Sequence, residues 1–518
     1  MTSRRLLLSL LLLACAATAH AGEEQRVRVL VRFRDGIGPL QRAAVSRHEG
    51  RIERELAIGT DGVAAVELAA TDVAALREDP RVALVEPDPV YHAAALSRAE
   101  LVPTLANGLY GLVLTKATAA HARHVTGGGV TVCIGDTGID AHHPDLAGAY
   151  AGGFDLVDND EDPDIGNDPG LGEHGTMVAG VIAAAFNRKG VHGVAYGATI
   201  RHARVLGPTG SGRGSDVMSA VARFADEGCR VINLSLGSDQ LSSIEEDFYH
   251  DVLQQHPDLL IVAASGNGGH EGISYPARFR DILAVGAVDR TTAIASFSNT
   301  GPELGVVAPG VAVLSSVPRG AGSEAFVTAG KTFDAVPMGL AGQTNGLRGR
   351  LVDCGTGNTA GEFPRAARGA IALMRRGDAF FYEKVEHAMD AGAVGAVIYN
   401  NVDQEITPTL LNDTASDGRR WIPAVMVSRL DGTLLQKRRT ATLVNGPSDW
   451  NFASGTSFAS PHVAGVAALV LSVNPALSRS ALIDLLESTA ADLGEPGPDP
   501  VFGWGLVDAD AASRAAAP

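Results

Sequence analysis

Three short motifs, far apart in the chain, supply an acid, an imidazole and a hydroxyl. They are Asp-Thr-Gly-Ile-Asp at 136–140, His-Gly-Thr-Met-Val-Ala-Gly at 174–180 and Gly-Thr-Ser-Phe-Ala-Ser-Pro-His at 455–462. A serine hydroxyl is a weak nucleophile unless a base removes its proton, and a buried carboxylate must hold that base in one tautomer. The order Asp, His, Ser is one of three chain orders in which this trio occurs. The motifs therefore indicate a serine hydrolase, with a peptide bond as the favoured substrate.

Length and composition limit the class of protein. At 518 residues the chain is too long for a single core, and about three domains are expected. Hydrophobic residues make up 45% and aromatic residues 5%, with 61 glycines, which favours an α/β protein with many tight turns. The formal net charge of −17 argues against a nucleic-acid partner, because phosphate binding needs a basic face.

The first 21 residues have the pattern of an export signal. Arg4 and Arg5 are followed by an apolar run at 6–14 and by a small-x-small cleavage site at 19–21. The run is too short to cross a bilayer, and no later stretch reaches about 18 uninterrupted apolar residues. We expect a secreted or periplasmic protein without a transmembrane segment. Lipid attachment at Cys15 is the alternative.

Three cysteines follow the signal: Cys133, Cys229 and Cys354. Cys133 lies within an apolar strand pattern and Cys229 just before another. We interpret both as packed thiols rather than disulfide partners, with at most one bridge in the chain.

Hydrophobic patterning predicts several segments. Residues 26–92 follow the order β-α-β-β-α-β of a ferredoxin-like sandwich, and the alanine-rich stretch to 125 is interpreted as a linker. From Val130, continuous apolar strands alternate with helices, which predicts a doubly wound parallel sheet. Strand-like runs at 369–374, 394–399 and 422–427 break this order. The predicted segments are 1–21 (signal), 22–94, 95–125 (linker and mature N-terminus), 126–320, 321–445 (a β-rich insert) and 446–518.

Residues 127–320 and 446–518 resemble the subtilisin-like serine proteases, the subtilase family. Besides the three motifs, the resemblance rests on Asn233-Leu234-Ser235-Leu236-Gly237, Ala264-Ser265-Gly266-Asn267, Tyr275-Pro276-Ala277 and Gly503-Trp504-Gly505. It implies that 22–94 is an inhibitor-type prodomain, acting as an intramolecular inhibitor, and that the insert is a protease-associated domain. It also implies self-cleavage, for which Ala94–Ala95 is our first choice of bond.

The resemblance assigns roles to individual residues. Ser457 would be the nucleophile, His174 the base, Asp136 its orienting acid and Asn267 the oxyanion donor. Two backbone edges would hold a protein or peptide substrate as an added strand: Gly210, Ser211 and Gly212 on one side, and Ser235, Leu236 and Gly237 on the other. Residues 235–237, with Ala264, Ser265 and Gly266, would form the wall of the first pocket. Because these residues carry no carboxylate, we expect a preference for uncharged side chains.

No cofactor is required for this chemistry, and no metal ligand is assigned. Two features leave structural calcium open. Seven of the residues 155–168 are acidic, a pattern typical of a solvated loop or of a calcium loop. Asp145 and Asn187 fall where some relatives bind calcium. The alternative to an active protease is a catalytically silent binding protein with the same fold.

Overall fold

The computed structural model describes residues 25–58, 61–93, 109–166, 168–402, 409–410 and 420–517. The expected signal sequence, with Cys15, and the expected cleavage bond Ala94–Ala95 lie outside the described residues. The chain divides between Asp88 and Pro89 into two compact units. Each unit has its own buried apolar core.

In the first unit, two helices accompany a four-stranded antiparallel sheet. The elements are β1 (Arg26–Phe33), α1 (Pro39–Arg47), β2 (Arg51–Ile58), β3 (Asp61–Ala69), α2 (Val73–Arg77) and β4 (Val82–Pro87). The strands lie in the order β2-β3-β1-β4. Along β1, Val29, Val31 and Phe33 join the apolar core of this unit, and Leu30 on the other face is buried as well. The element order is the β-α-β-β-α-β order that the sequence predicts.

Strands and helices alternate through the first part of the second unit. In chain order they are β5 (Val90–Ala93), α3 (Tyr110–Leu114), α4 (Ala117–Ala122), β6 (Thr131–Asp136), β7 (Tyr150–Asp155), α5 (Glu173–Ala183), β8 (Thr199–Arg204), β9 (Ser211–Arg213), α6 (Gly214–Asp226), β10 (Val231–Leu234), β11 (Leu236–Gly237), α7 (Ser243–Gln255), β12 (Leu260–Ala264), β13 (Leu283–Val288), β14 (Leu304–Pro309) and β15 (Val313–Ser316). A short 3₁₀ turn at Pro169–Leu171 precedes α5.

Seven of these strands form a parallel sheet in the order β14-β13-β12-β10-β6-β8-β7. The strands that follow β8 in the chain all lie on the opposite side of β6 from β7 and β8. In such sheets a crevice opens at the carboxyl ends of the strands where the winding direction changes. The predicted doubly wound parallel sheet is confirmed, and β6 and β10 border its crevice.

The insert forms an eight-stranded sheet of its own, in the order β17-β16-β23-β19-β20-β21-β22-β18. Its elements are β16 (Gly322–Thr328), β17 (Thr332–Asp334), β18 (Val336–Pro337), β19 (Thr344–Asp353), β20 (Ile371–Arg375), α8 (Phe381–Asp390), β21 (Gly395–Tyr399), β22 (Ala424–Val427), α9 (Arg429–Leu435) and β23 (Thr440–Ser448). Short 3₁₀ turns lie at Ala360–Glu362 and Arg365–Ala367. The predicted strand-like runs correspond to β20, β21 and β22.

Period-2 alternation gives this second sheet two buried faces. Along β20, Ile371 and Leu373 join one apolar cluster with Leu435 of α9. Ala372 and Met374 join the other with Val385 of α8. Covering both faces with helices is the arrangement that parallel strands require.

After the insert the chain returns to the first sheet through β24 (Trp450–Ala453), α10 (Thr456–Val473), α11 (Arg479–Ser488) and α12 (Ala509–Ala515). Helix α10 contacts several strands of the parallel sheet and also α5. Among the described residues it alone has the length and apolar composition of a membrane span, and 89% of that stretch is buried within the fold. A helix that is apolar on all sides and enclosed by protein serves as a core helix.

Two expectations from the sequence are wrong. The interpreted linker contains α3 and α4, because Ala117 and Ala120 pack into the core with no exposed surface, and alanine is the strongest helix former. Cys133 and Cys229 form a disulfide with Cα atoms 6.2 Å apart. The reason is the parallel register, which pairs Cys133 with Ile232, three residues beyond Cys229. The remaining thiol, Cys354, is buried in the insert.

Candidate active site

Asp136 is the last residue of β6, at the carboxyl edge of the parallel sheet. Its side chain has no exposed surface. The amide N–H of Thr137 donates to Asp136 Oδ1 over 2.7 Å, which fixes the carboxylate close to its own backbone.

His174 lies in the first turn of α5 and is 4% exposed. Its Nδ1 is 2.6 Å from Asp136 Oδ1, and since the carboxylate accepts, Nδ1 carries the proton. The basic lone pair is therefore on Nε2, which is buried and makes no hydrogen bond within the described residues. The pair has the geometry of a histidine oriented for general-base work.

Ser457 is the second residue of α10, after Gly455, whose φ of 155° lies outside the range that side chains favour. Its hydroxyl donates to the carbonyl of Ser235 over 2.9 Å. The next residue, Phe458, packs its ring against the His174 ring, with centroids 5.6 Å apart. The serine and the histidine thus share one neighbourhood, and the hydroxyl is engaged with Ser235 rather than with the histidine.

A proline explains why Ser235 is part of this site. Pro461 lies inside α10 and has no N–H for the carbonyl four residues earlier, which is that of Ser457. The Ser235 hydroxyl supplies the missing donor, over 2.8 Å. Ser235 therefore contacts Ser457 twice, once through its hydroxyl and once through its carbonyl.

Asn267 follows β12 at the same edge of the sheet. Its Oδ1 accepts from the Thr456 amide over 2.9 Å and from the Thr456 hydroxyl over 2.8 Å. Because a backbone N–H can only donate, the atom facing it must be the oxygen, and Nδ2 is directed away from Thr456. Asn267 is thereby held by the residue that precedes Ser457. The Asn267 side chain thus lies where a donor to a charge developing near Ser457 is expected.

A strand already lies between the two predicted substrate edges. β5 is the middle strand of a three-stranded sheet in the order β11-β5-β9. Tyr91 and His92 pair with Gly212 and Ser211 on one side, while Ala93 pairs with Leu236 on the other. The Ala93 amide also donates to the Gly210 carbonyl over 2.7 Å. The cleft thus accepts an extended chain through main-chain hydrogen bonds on both sides.

A cavity of about 410 Å³ opens beside this strand. It is lined by Val90, His92, Ala93, Gly237, Ser238, Asp239, Gln240, Gly266, Asn267, Gly268, His270, Ser274 and Asn299. Ala264 and Ser265, which directly precede Gly266 in the chain, are buried. Sequence reasoning missed Asp239 and His270 because neither lies in a motif. Asp239 is exposed and accepts from the Ser274 hydroxyl over 3.0 Å, so it contributes a carboxylate near the pocket.

The residues considered for calcium form a hydrogen-bonded pair. Asn187 Nδ2 donates to Asp145 Oδ1 over 2.6 Å, and Ser316 and Trp450 donate to Asp145 Oδ2 over 3.1 and 2.7 Å. Both carboxylate oxygens thus already have protein donors. In the described part of the chain, no three His, Cys, Asp or Glu side chains are grouped so as to hold an ion.

The acidic loop 155–168 bonds largely to itself and to arginine. Asp155 and Asp158 both contact Arg204 Nη1. Asp162 and Asp164 accept backbone N–H groups two residues further along the chain. These turns are the local hydrogen bonds that aspartate favours in loops.

Residues 127–336 and 403–505 match the pattern of the Subtilase family. The chain belongs to the subtilase family. Residues 347–435 of this subtilase match the PA domain, so the predicted inserted protease-associated domain is confirmed.

Curated relatives support the same activity. This subtilase is 38% identical over 314 residues to the Alkaline protease of Alkalihalobacillus alcalophilus, covering 58% of this chain and 77% of the relative. It is 33% identical over 313 residues to Subtilisin E of Bacillus subtilis (strain 168), covering 59% and 77%. The subtilase is a subtilisin-like serine endopeptidase.

Solved structures agree with the fold. The psychrophilic subtilisin-like protease Apa1 from Pseudoalteromonas sp. AS-11 has 29% identity and a TM-score of 0.57, covering 78% of this chain and 96% of that one. Fervidolysin from Fervidobacterium pennivorans, a keratinolytic enzyme related to subtilisin, has 22% identity and a TM-score of 0.61, covering 96% and 62%. The second likeness concerns the fold alone.

Proposed function

We propose that Ser457 is the nucleophile of this endopeptidase, His174 its general base and Asp136 the residue that orients His174. The observation that carries the proposal is the buried 2.6 Å contact between His174 Nδ1 and Asp136 Oδ1, beside the helix start that bears Ser457. With Nδ1 bound to the carboxylate, only Nε2 is available to accept a proton. A catalytically silent binding protein would have no need of this arrangement.

The reaction begins when substrate enters as an added strand. An incoming main-chain N–H competes for the Ser235 carbonyl, and the Ser457 hydroxyl then turns toward His174 Nε2. Such catalytic hydrogen bonds often form only in the substrate complex. Ser457 Oγ attacks the peptide carbonyl carbon and its proton passes to Nε2. The oxygen that becomes negative is stabilised by Asn267 Nδ2 and by N–H groups at the start of α10.

Attack on the carbonyl carbon gives a tetrahedral intermediate, and two further stages complete the reaction. The C–N bond cleaves, the proton on His174 Nε2 passes to the leaving amine, and the acyl group stays esterified to Ser457. Water next gives a proton to His174 and its oxygen attacks the ester. The carboxylic acid leaves, and Ser457 regains its proton from His174. Every role is carried by a side chain or a backbone N–H, so we propose that the chemistry itself needs no cofactor. Asp145 and Asn187 then act as a structural pair rather than as a calcium site.

Labelling with a fluorophosphonate tests the catalytic assignment. We expect the processed protein to be labelled, Ser457→Ala to lose the label, and Ser472→Ala, at the other end of the same helix, to keep it. Absence of labelling in the wild-type protein would favour the silent binding protein.

We further propose that the chain is exported and processes itself. Support comes from the N-terminal pattern of residues 1–21 and from the disulfide Cys133–Cys229, since disulfides persist in oxidising compartments. β5 occupies the cleft as a substrate strand would. Since Ala93 pairs with Leu236, the next residue of a bound chain matches Ser235, which contacts the nucleophile. We therefore propose cleavage at Ala94–Ala95, with residues 22–94 acting as the intramolecular inhibitor.

N-terminal sequencing of the secreted protein tests this bond. The mature protein should begin at Ala95, and Ser457→Ala should keep its leading segment. Cleavage of purified Ser457→Ala at the same bond would contradict self-processing. Added back in trans, residues 22–94 should inhibit the mature enzyme.

We also propose that the residue on the acyl side of the cleaved bond is uncharged. The walls of the pocket that would receive this residue, at 235–237 and 264–266, carry no ionisable group. Asp239, near the pocket, is exposed rather than buried. Digestion of an unfolded protein, with the fragments identified by mass spectrometry, measures the preference. Cleavage mainly after lysine or arginine would contradict the proposal and point to Asp239.

A further inference from the structure

Tyr91 differs from its neighbours on β5. Val90 and Ala93 are half-buried and His92 is exposed, but Tyr91 has no exposed surface. Side chains on a strand alternate between faces, so Tyr91 points into the protein where its neighbours do not. A buried tyrosine contributes a large apolar area and usually places its hydroxyl against a polar partner.

The partner is a buried carboxylate. Tyr91 Oη donates to Glu245 Oε2 over 3.4 Å, and Glu245 has no exposed surface. Glu245 lies in the first turn of α7, and its amide N–H donates to the Ser242 hydroxyl oxygen over 3.2 Å. The start of a helix stabilises negative charge, which allows a glutamate to remain at this buried position.

The surroundings of the carboxylate are built to admit it. A Cβ added at Gly214 would lie 2.4 Å from Glu245 Oε1 and 3.2 Å from Pro89 Cδ, so only glycine leaves room for both. The Gly214 amide donates to the Pro89 carbonyl over 2.8 Å, which fixes the chain next to Tyr91. Tyr249, one turn after Glu245, is fully buried too. Burial, and then the charge of Glu245, raises the pKa of the Tyr249 hydroxyl well above its usual range.

A carboxylate at the base of a side-chain pocket has consequences for selectivity. An apolar ring in this place offers no donor in exchange for the phenol, and losing one hydrogen bond to a buried charge is costly. A phenol of the same shape supplies the donor. Sites built around a hydrogen bond to the substrate discriminate strongly against the analogue that lacks it.

We propose that Glu245 makes this enzyme select tyrosine at the fourth residue before the cleaved bond. The inference rests on the proposed function, because Tyr91 is the fourth residue before Ala94–Ala95 only in that register. Tyr91 then serves as the leading segment's own copy of the preferred substrate side chain. Glu245 is a specificity-determining residue and takes no part in bond cleavage.

Matched internally quenched peptides test the proposal on the mature enzyme. They share alanine at the residue before the cleaved bond and differ only in tyrosine, phenylalanine or alanine at the fourth position. We expect kcat/KM to be at least about tenfold higher for tyrosine than for phenylalanine. Glu245→Leu should reverse that order, while Glu245→Gln, which keeps an acceptor, should retain a smaller preference for tyrosine. Each kcat/KM is expressed relative to that of the alanine peptide on the same protein, which removes any general loss of activity from the comparison.

Two results would overturn the inference: equal kcat/KM for the tyrosine and phenylalanine peptides in the wild-type enzyme, or an unchanged preference in both Glu245 variants. Failure of the proposed function looks different, since no peptide would be cleaved and no fluorophosphonate label would be incorporated. In that event the ratio of dissociation constants of the two peptides on Ser457→Ala measures the same selectivity, and a ratio of one overturns it.

Discussion

The parallel sheet of the catalytic region and the sheet of the insert both bury polar side chains, but they satisfy them differently. In the insert, Lys384 is fully buried, and its ammonium donates to the Thr356 carbonyl and to Asn358 Oδ1. Within the described part of 322–448, no buried side-chain nitrogen or oxygen lacks a hydrogen bond. In the catalytic region several buried atoms lack one, among them His202 Nδ1 and Asn233 Oδ1 as well as Asp136 Oδ2 and His174 Nε2.

At His174 the unpaired atom is also the one that the proposed reaction uses. Leaving a buried polar atom unpaired is costly, and native proteins do so rarely. The catalytic region accepts that cost at His174 Nε2, the atom that we propose receives the proton of Ser457. The insert has its own cores and no such atom in its described residues.

The largest effect expected from this comparison is the loss of activity on removing the nucleophile or the base. Ser457→Ala or His174→Ala should lower kcat by about 10⁶-fold, the size that such substitutions have in subtilisin itself. Arg429→Ala, at an exposed position of the insert, is the matched control and should leave kcat/KM for short peptides unchanged. A comparable loss in Arg429→Ala would break the division between the two regions.

A smaller loss should follow from removing the oxyanion donor. Asn267→Ala should lower kcat by about 10²–10³-fold with little change in KM, a magnitude taken from subtilisin. Thr456→Val deletes one of the two hydrogen bonds that hold Asn267 and keeps the other, so its loss should be intermediate. If Asn267→Ala raised KM and left kcat unchanged, the residue would bind substrate rather than stabilise the transition state.

The disulfide should matter for stability and not for chemistry. Its two cysteines are 96 residues apart, and closing a loop of that size typically stabilises a fold by about 2–4 kcal/mol. Cys133→Ala/Cys229→Ala, made in the Ser457→Ala background to prevent self-digestion, should lower the free energy of unfolding by that amount in denaturant titrations. Adding a reductant should then have no further effect, whereas a large further effect would implicate another bond.

The smallest effect concerns pH, and the two regions should respond with opposite signs. Burial, reinforced by the charge of Asp484, raises the pKa of Glu487 in the catalytic region to about 7. The folded state then holds a proton that the unfolded chain has lost. The contribution of Glu487 to the free energy of unfolding is therefore present at low pH and disappears as pH rises toward 7. Hydrogen bonds from Thr356, from its hydroxyl first, lower the pKa of Glu362 in the insert, so its contribution is present at neutral pH and disappears as pH falls.

Melting temperatures of Glu487→Gln and Glu362→Gln, in the Ser457→Ala background, measure the two signs. The melting temperature of Glu487→Gln, relative to that of its parent, should be highest at pH 8. The relative melting temperature of Glu362→Gln should be lowest at that pH. Shifts that stay parallel between pH 3 and pH 8 would mean that neither carboxyl has the proposed pKa.

The sequence predicted those parts of the molecule that depend on local patterns. Apolar runs located β6, β10 and β12, and the residues at their carboxyl ends, with His174 and Ser457, formed the candidate site. It did not predict features created by pairing distant segments. The disulfide follows from the register of β6 and β10, and the contact between Tyr91 and Glu245 joins residues that no periodicity relates. Asp239 and His270 were missed for the same reason, since only folding brings them to the cavity.

The cleft between β9 and β11 has room for one strand and bonds it on both sides. A polypeptide can occupy that slot only after several consecutive residues have been pulled away from their own helix or sheet. Compact, well-folded proteins should therefore resist digestion in proportion to the free energy of opening such a segment. Hinges, frayed termini and heat-loosened loops would be cut first, so susceptibility would depend on the target's local stability as much as on its sequence.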